Sequence, residues 1–340
     1  MKNTHSPAPN SFAPAGMVTA GQFKGTIANL STAQWDGSLG LLSPRRTQRK
    51  GWIYGGVMDA RFIVGFAIAD AGLLGTAFVY VYDRIRKTLI ERKATRPLAF
   101  DKNFQPSPQT NWYLKNGGDE WRIAPLNDTA GWAFSFNNTT LNLAFELMDD
   151  GASISALNNA PSKGNSRPFH YTHKLVGIPA RLHLNLNGET HKTIDAQGVF
   201  DFTLGYPPRT TLWQWACWVG VLDDGRAFAC NLVAQTMNGL ENTAWLRLSN
   251  GDTHVLPVAQ AVFNYNRADT LQTWAIHTTD GQLRVQFTPE GERSESIHIG
   301  AMYSHFTQPF GAFSGVWVDE QGHERALTGI GVVEQHRALW

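Results

Sequence analysis

The sequence predicts an all-β protein of antiparallel strands, and two observations carry that prediction. Asx-Gly turn signals recur along the chain: DDG at 149–151 and 223–225, NGE at 187–189, DAQG at 195–198 and NGD at 250–252. They continue with DG at 280–281, PEGE at 289–292 and DEQG at 319–322. Between them lie short runs that alternate apolar and polar residues, such as LNLAFELMDDG (141–151), ARLHLNLNG (180–188) and QLRVQFTPEG (282–291). Period two with this punctuation is the signature of hairpins. The segment YDRIRKTLIERK (82–93) admits one short helix, but Ile85, Thr88, Leu89 and Ile90 form no clean stripe.

The most apolar stretch, FIVGFAIADAGLLGTAFVYVYD (62–83), is long enough to cross a bilayer. An aspartate at the centre of a span costs about 2.5–3.5 kcal/mol, and Asp70 stands at this centre. Gly72 and Gly75 beside it supply turn flexibility. Phe62, Val64, Phe66 and Ile68 then share one strand face, with Ile63, Gly65, Ala67 and Ala69 on the other. On the return strand Phe78, Tyr80 and Tyr82 oppose Val79 and Val81. The segment reads as a hairpin buried on both faces, with no transmembrane segment.

Composition narrows the function. The chain has 340 residues, 42% hydrophobic and 17% charged, with 12 Trp and 19 Phe. Charged residues average about 25% in globular proteins, so this chain is built for a large core or an apolar cavity. Lys plus Arg (29) nearly cancels Asp plus Glu (28), which argues against nucleic acid as a partner. Two cysteines, Cys217 and Cys230, flank the turn at 223–225, nearly opposite each other. Reduced, buried thiols are favoured there over a bridge. Residues 1–16 are rich in Pro, Ser and Asn without an apolar core, and read as a disordered tail without export signal. The expected location is therefore cytoplasmic. The Gly, Ser, Asn and Pro-rich stretch 151–169 marks a boundary between β domains at 17–160 and 161–340. A weak likeness between 61–81 and 214–233 hints at duplication.

Several residues invite chemistry. On the strand at 210–222, Trp213, Trp215 and Cys217 face one way and Gln214, Ala216 and Trp218 the other. Core packing accounts for most aromatic stripes. A ligand cavity walled by indoles is the sharper reading, and Asn231, amid an apolar strand, supports it because a buried amide needs partners. Glu241 and Asn242 follow a turn and precede Trp245; they are either loop polar residues or groups at a cavity mouth. Asp201, between Phe200 and Phe202, is either exposed or a buried acid, with Arg209 as an ion-pair partner. Glu334 and His336 share a strand face as an acid–base pair or a surface ion pair. His170 and His173 are three apart and face opposite sides, which does not suit a metal. The chain has no zinc, Walker or serine-elbow motif, and neither metal nor cofactor is expected.

Taken together, these segments carry a resemblance. Asp201, Gly205, Thr211 and Trp213-Gln214-Trp215 resemble one bacterial family of unknown function. So do GRAFACNLV (225–233), LENTAWL (240–246), FGAFSGVW (310–317), GIGVVEQHRALW (329–340) and KGWIYGG onward from residue 50. The resemblance runs from about residue 35 to the end. That family is distantly similar to carotenoid hydratases, kievitone hydratase and tocopherol cyclase, whose two lipocalin-like β domains enclose apolar ligands. It implies two lipocalin-like, calycin-type antiparallel barrels or sandwiches. It also implies a hydrophobic, isoprenoid- or lipid-like ligand that is hydrated or cyclised by acid catalysis without cofactor. The candidate acids are Asp201, Glu241 and Glu334. Tyr206, Trp213 and Trp215 would line the cavity, Asn231 or Asn242 would hold water, and His336 would pair with Glu334. A non-catalytic carrier is the alternative, and a carbohydrate-active sandwich a further one.

Overall fold

The computed structural model describes residues 5–12, 18, 20–31, 48–72, 74–97, 107–158, 169–236, 239–300 and 302–340. They form two units, His5–Pro207 and Pro208–Trp340. The division therefore falls at Pro207–Pro208 instead of within 151–169. The physical reason is pairing: the strands on either side of that stretch belong to one sheet, whereas two consecutive prolines carry no N–H to continue it. Residues 159–168 of the expected linker lie outside the described residues.

The first unit begins with β1 (Ser6–Pro7), β2 (Gly21–Lys24), β3 (Lys50–Met58), β4 (Phe62–Asp70), β5 (Leu74–Asp83) and β6 (Thr88–Pro97). Next come β7 (Trp112–Asn116), β8 (Asp119–Pro125), β9 (Gly131–Asn137), β10 (Leu141–Met148) and β11 (Ile154–Asn158). Two long strands end it, β12 (His170–Leu186) and β13 (Glu189–Gly205). The sheet order is β6-β5-β4-β3-β13-β12-β10-β9-β8-β7, so β13 closes the meander onto β3 in a nearly closed barrel. The expectation of a disordered tail fails over residues 5–12. There β1 pairs with β2, and Phe12 is buried against Phe169 at 4.8 Å.

The second unit contains β14 (Thr210–Leu222), β15 (Ala227–Ala234), β16 (Thr243–Arg247), β17 (Thr253–Pro257) and β18 (Ala261–Asn264). It continues with β19 (Trp274–Thr278), β20 (Leu283–Ile299), β21 (Met302–Val318) and β22 (Glu324–Leu339). Its order, β17-β16-β15-β14-β22-β21-β20-β19-β18, makes a half-barrel in which the last strand again pairs with the first. Both sheets therefore repeat one pattern of four meander strands flanked by the two closing ones. In that pattern β14–β15 corresponds to β3–β4, one strand earlier than the likeness between 61–81 and 214–233 implied.

The hairpin at 62–83 forms as its alternation predicts. Phe62, Val64, Phe66 and Ile68 enter the barrel core with Val79 and Val81, while Ile63, Ala67 and Tyr80 are buried on the other face. Gly65 lies beneath Tyr80, where an added Cβ would meet the ring at 2.3 Å. Asp70 ends the strand by accepting from Gly72 N at 2.9 Å. Among the described residues no helix is long and apolar enough to cross a membrane.

Segment 82–93 is no helix. Asp83 Oδ1 accepts from Ile85 N and Arg86 N, both at 3.0 Å, in a tight turn between β5 and β6. Asn187 (φ 51) and Gly188 (φ 87) make the β12–β13 turn with the paired positive φ of type I′. Two of the expected turns are not turns. DAQG lies inside β13 and PEGE inside β20, at register shifts opposite Ala180–Leu182 and at Pro289–Gly291. An extra residue in a long strand is absorbed as a bulge, and glycine tolerates the bend.

Candidate functional site

The strands β14 and β15 bury residues on both faces. In the second unit one face of β14, β15, β21 and β22 packs a core in which Trp218 stacks on Phe313 at 4.6 Å. The other face carries Trp213, Trp215, Asn231, Glu334 and His336. Register places Trp213 beside His336, Trp215 beside Glu334, and Cys217 beside both Val332 and Asn231. Cys230 instead pairs with Trp218, so the two thiols point to opposite faces and no disulfide joins them. Burial raises the Cys230 pKa well above that of an ordinary thiol.

Glu334 is the centre of this face. Its Oε1 accepts from Trp213 Nε1 at 2.8 Å and its Oε2 from Gln308 Nε2 on β21 at 3.1 Å. Gln308 is 1% exposed, and its Oε1 has no hydrogen-bond partner. A buried acceptor without a donor costs about 1–3 kcal/mol, which sets Gln308 apart from the satisfied amides of Asn231 and Asn242. His336 Nδ1 lies 3.9 Å from Glu334 Oε1, and its Nε2 is 2.7 Å from Ser304 Oγ. Burial, with His305 as a lesser contribution, pushes His336 down to about 3. The imidazole is therefore neutral at pH 7, and the pair is not a salt bridge. Trp213 and Phe306 flank it at 4.0 and 5.5 Å, and Arg293 lies 4.7 Å over the Phe306 ring.

The other candidates separate into different roles. Asn231 Oδ1 accepts from Trp215 Nε1 at 2.7 Å, and its Nδ2 donates to Glu241 O at 2.9 Å. Glu241 thus reaches this network through its carbonyl; its carboxylate accepts from Thr236 Oγ1 at 3.2 Å. Asn242 clamps backbone, accepting from Val233 N at 2.7 Å and donating to Ala259 O at 2.9 Å. Asn242→Ala should lower stability by about 2–3 kcal/mol, since it strands a buried N–H and a part-buried carbonyl, read as a shifted urea midpoint.

Asp201 and Tyr206 belong to the first unit. Tyr206 is core, edge-on to Phe169 at 5.6 Å. Asp201 is buried on the face opposite Phe200 and Phe202, and its partner is Lys174 instead of Arg209. Thr172 and Thr203 donate to its other oxygen at 3.2 and 3.3 Å. Register explains the partner, because Lys174 sits directly across from Asp201. Among the described residues no group of three or more His, Cys, Asp or Glu is placed to hold a metal. Sequence reasoning missed Gln308, Ser304 and Lys174. The signal for Gln308 was an amide next to Pro309, set between Phe306 and Phe310.

The architecture defines the class: a double lipocalin-like β protein, one sheet nearly closed and the other a half-barrel. The chain belongs to the family described as Domain of unknown function (DUF2804), which it matches over residues 15–340. Its fold is similar to that of kievitone hydratase from Nectria haematococca, at 13% identity and a TM-score of 0.53. That match covers 84% of this chain and 88% of the hydratase. A candidate AttH from Nitrosomonas europaea matches at 16% identity and a TM-score of 0.50, over 86% of this chain and 93% of that one. No curated protein matches the chain.

Proposed function

We propose that the protein binds an apolar, isoprenoid-like small molecule against the indole-lined face of the second unit and hydrates or cyclises it by proton transfer from Glu334. The observation that carries this reading is the unmet Gln308 Oε1 acceptor beside the Glu334 carboxyl, on a face that also carries Trp213, Trp215 and Phe306. In the reaction Glu334, in its acid form, gives its proton to one alkene carbon, and the π pair forms the new C–H bond. The cation left on the neighbouring carbon is stabilised by an indole face. A water held by Gln308 Oε1 then forms the C–O bond, and its surplus proton returns to the Glu334 carboxylate. No cofactor takes part. The likeness to a hydratase fold agrees with this chemistry.

The test offers the purified chain a panel of linear and cyclic isoprenoid alkenes in ¹⁸O-labelled water. One labelled oxygen per product is expected, and Glu334→Gln should lower turnover about a hundredfold or more with an unchanged unfolding midpoint. Alkenes bound and released unaltered would make the protein a carrier. Full activity in Glu334→Gln would remove Glu334 from the chemistry.

A further inference from the structure

The same face presents a second constellation that the proton-transfer reading does not use. Ser304 on β21 lies with its Oγ 2.7 Å from His336 Nε2, and His336 Nδ1 lies 3.9 Å from Glu334 Oε1. A serine hydroxyl, an imidazole and a carboxylate in that order are the parts of an activated nucleophile. The tautomer is self-consistent: Nε2 accepts from Ser304, which leaves the proton on Nδ1, toward Glu334. The carboxylate is held in place by Trp213 Nε1 and Gln308 Nε2, so its position does not depend on the histidine. The ring is fixed between Trp213 and Phe306. Distances between base and carboxylate are commonly loose before substrate binds. We infer that Ser304, His336 and Glu334 form a nucleophilic triad that cleaves esters of hydrophobic acids.

The bookkeeping closes. Burial keeps His336 neutral and so able to accept, and its Nε2 takes the Ser304 proton as Oγ bonds to the ester carbonyl carbon, while the Glu334 carboxylate on its Nδ1 side stabilises the imidazolium that forms. The ester C–O bond then breaks, and the leaving alcohol takes that proton. Water repeats the sequence on the acyl-serine, releasing the acid and restoring Ser304. Arg293 on the neighbouring strand β20, buried and paired with Glu295 at 3.5 Å, stands over the Phe306 ring that flanks His336. Here Glu334 acts as its carboxylate, whereas alkene protonation needs its acid form, so the two chemistries draw on opposite states of one side chain.

The experiment treats the full chain with an alkyl fluorophosphonate, in which Oγ–P bond formation expels fluoride, and follows p-nitrophenyl octanoate hydrolysis in parallel. Peptide mass spectrometry should find one adduct, on Ser304. Ser304→Ala should abolish labelling, and His336→Asn should slow it at least a hundredfold, each with the wild-type unfolding midpoint. Ser304→Cys should restore a covalent adduct, now with iodoacetamide, which separates loss of the nucleophile from loss of the fold. No adduct on the wild-type protein, labelling that survives Ser304→Ala, or equal rates in His336→Asn would each overturn the triad. None of these outcomes bears on alkene hydration, which is read separately through ¹⁸O incorporation and Glu334→Gln.

Discussion

Lys174→Met should destabilise the first unit by about 3–5 kcal/mol, the size expected when one member of a buried ion pair is removed. Lys174 and Asp201 are 3% and 7% exposed, and they face each other across the β12–β13 ladder. Losing the ammonium leaves a carboxylate whose remaining partners are the Thr172 and Thr203 hydroxyls. Those neutral donors do not balance a desolvated charge. The double variant Lys174→Met, Asp201→Leu should recover most of the loss, because an apolar pair of similar volume carries no desolvation penalty and the two threonines still bond each other at 3.3 Å. Urea unfolding of the single and double variants measures this. A single variant within 1 kcal/mol of wild type, or a double no better than the single, would show that the pair contributes little to the barrel. The double variant also tests Asp201 as a catalytic acid, since it removes the carboxyl while sparing the fold.

The part of this architecture that was legible depended on neighbours in sequence. The hairpin at 62–83 could be read because its apolar alternation, its aspartate and its glycines all lie within one stretch. Asn187 and Gly188 announced their turn through residue types suited to positive φ. The same local chemistry misled at 195–198 and 289–292, where glycine marks a bulge inside a long strand; turn and bulge use similar residues, and long-range pairing decides between them. Closure of β13 onto β3 joins residues such as Asp201 and Tyr54 that are far apart in sequence, and no local pattern encodes it. The site shows the same limit. Glu334 and His336 share a face at i, i+2 and were visible together. Ser304 and Gln308 lie on the neighbouring strand, and only the β21–β22 register brings them to that pair. Lys174 was hidden in the same way, so the nearby Arg209 took its place in the sequence reading.

His173→Met should make the protein less sensitive to acid without weakening it at neutral pH. His173 is 1% exposed, its ring lies 6.0 Å from Trp132 and 5.7 Å from Phe200, and neither ring nitrogen has a hydrogen-bond partner. Burial pushes it from 6.5 in the unfolded chain down to about 3 in the folded one. The unfolded state therefore binds the proton more readily. Above pH 6.5 the histidine is neutral in both states and contributes no pH dependence. As pH falls below 6.5, stability drops by about 1.4 kcal/mol per unit, about 2 kcal/mol by pH 5, and levels off near pH 3. His336 adds a slope of the same sign, so the contribution of His173 is the difference between wild type and variant. Urea midpoints at pH 7.5 and pH 5 should show a shallower fall for His173→Met. At pH 7.5 the variant should lie within about 1.5 kcal/mol of wild type, because methionine fills the volume and no hydrogen bond is lost. An identical fall in both proteins would mean that the folded barrel admits the proton. A larger loss at pH 7.5 would mean that the imidazole serves a partner, and either result would overturn the view of His173 as a dry element of the first barrel.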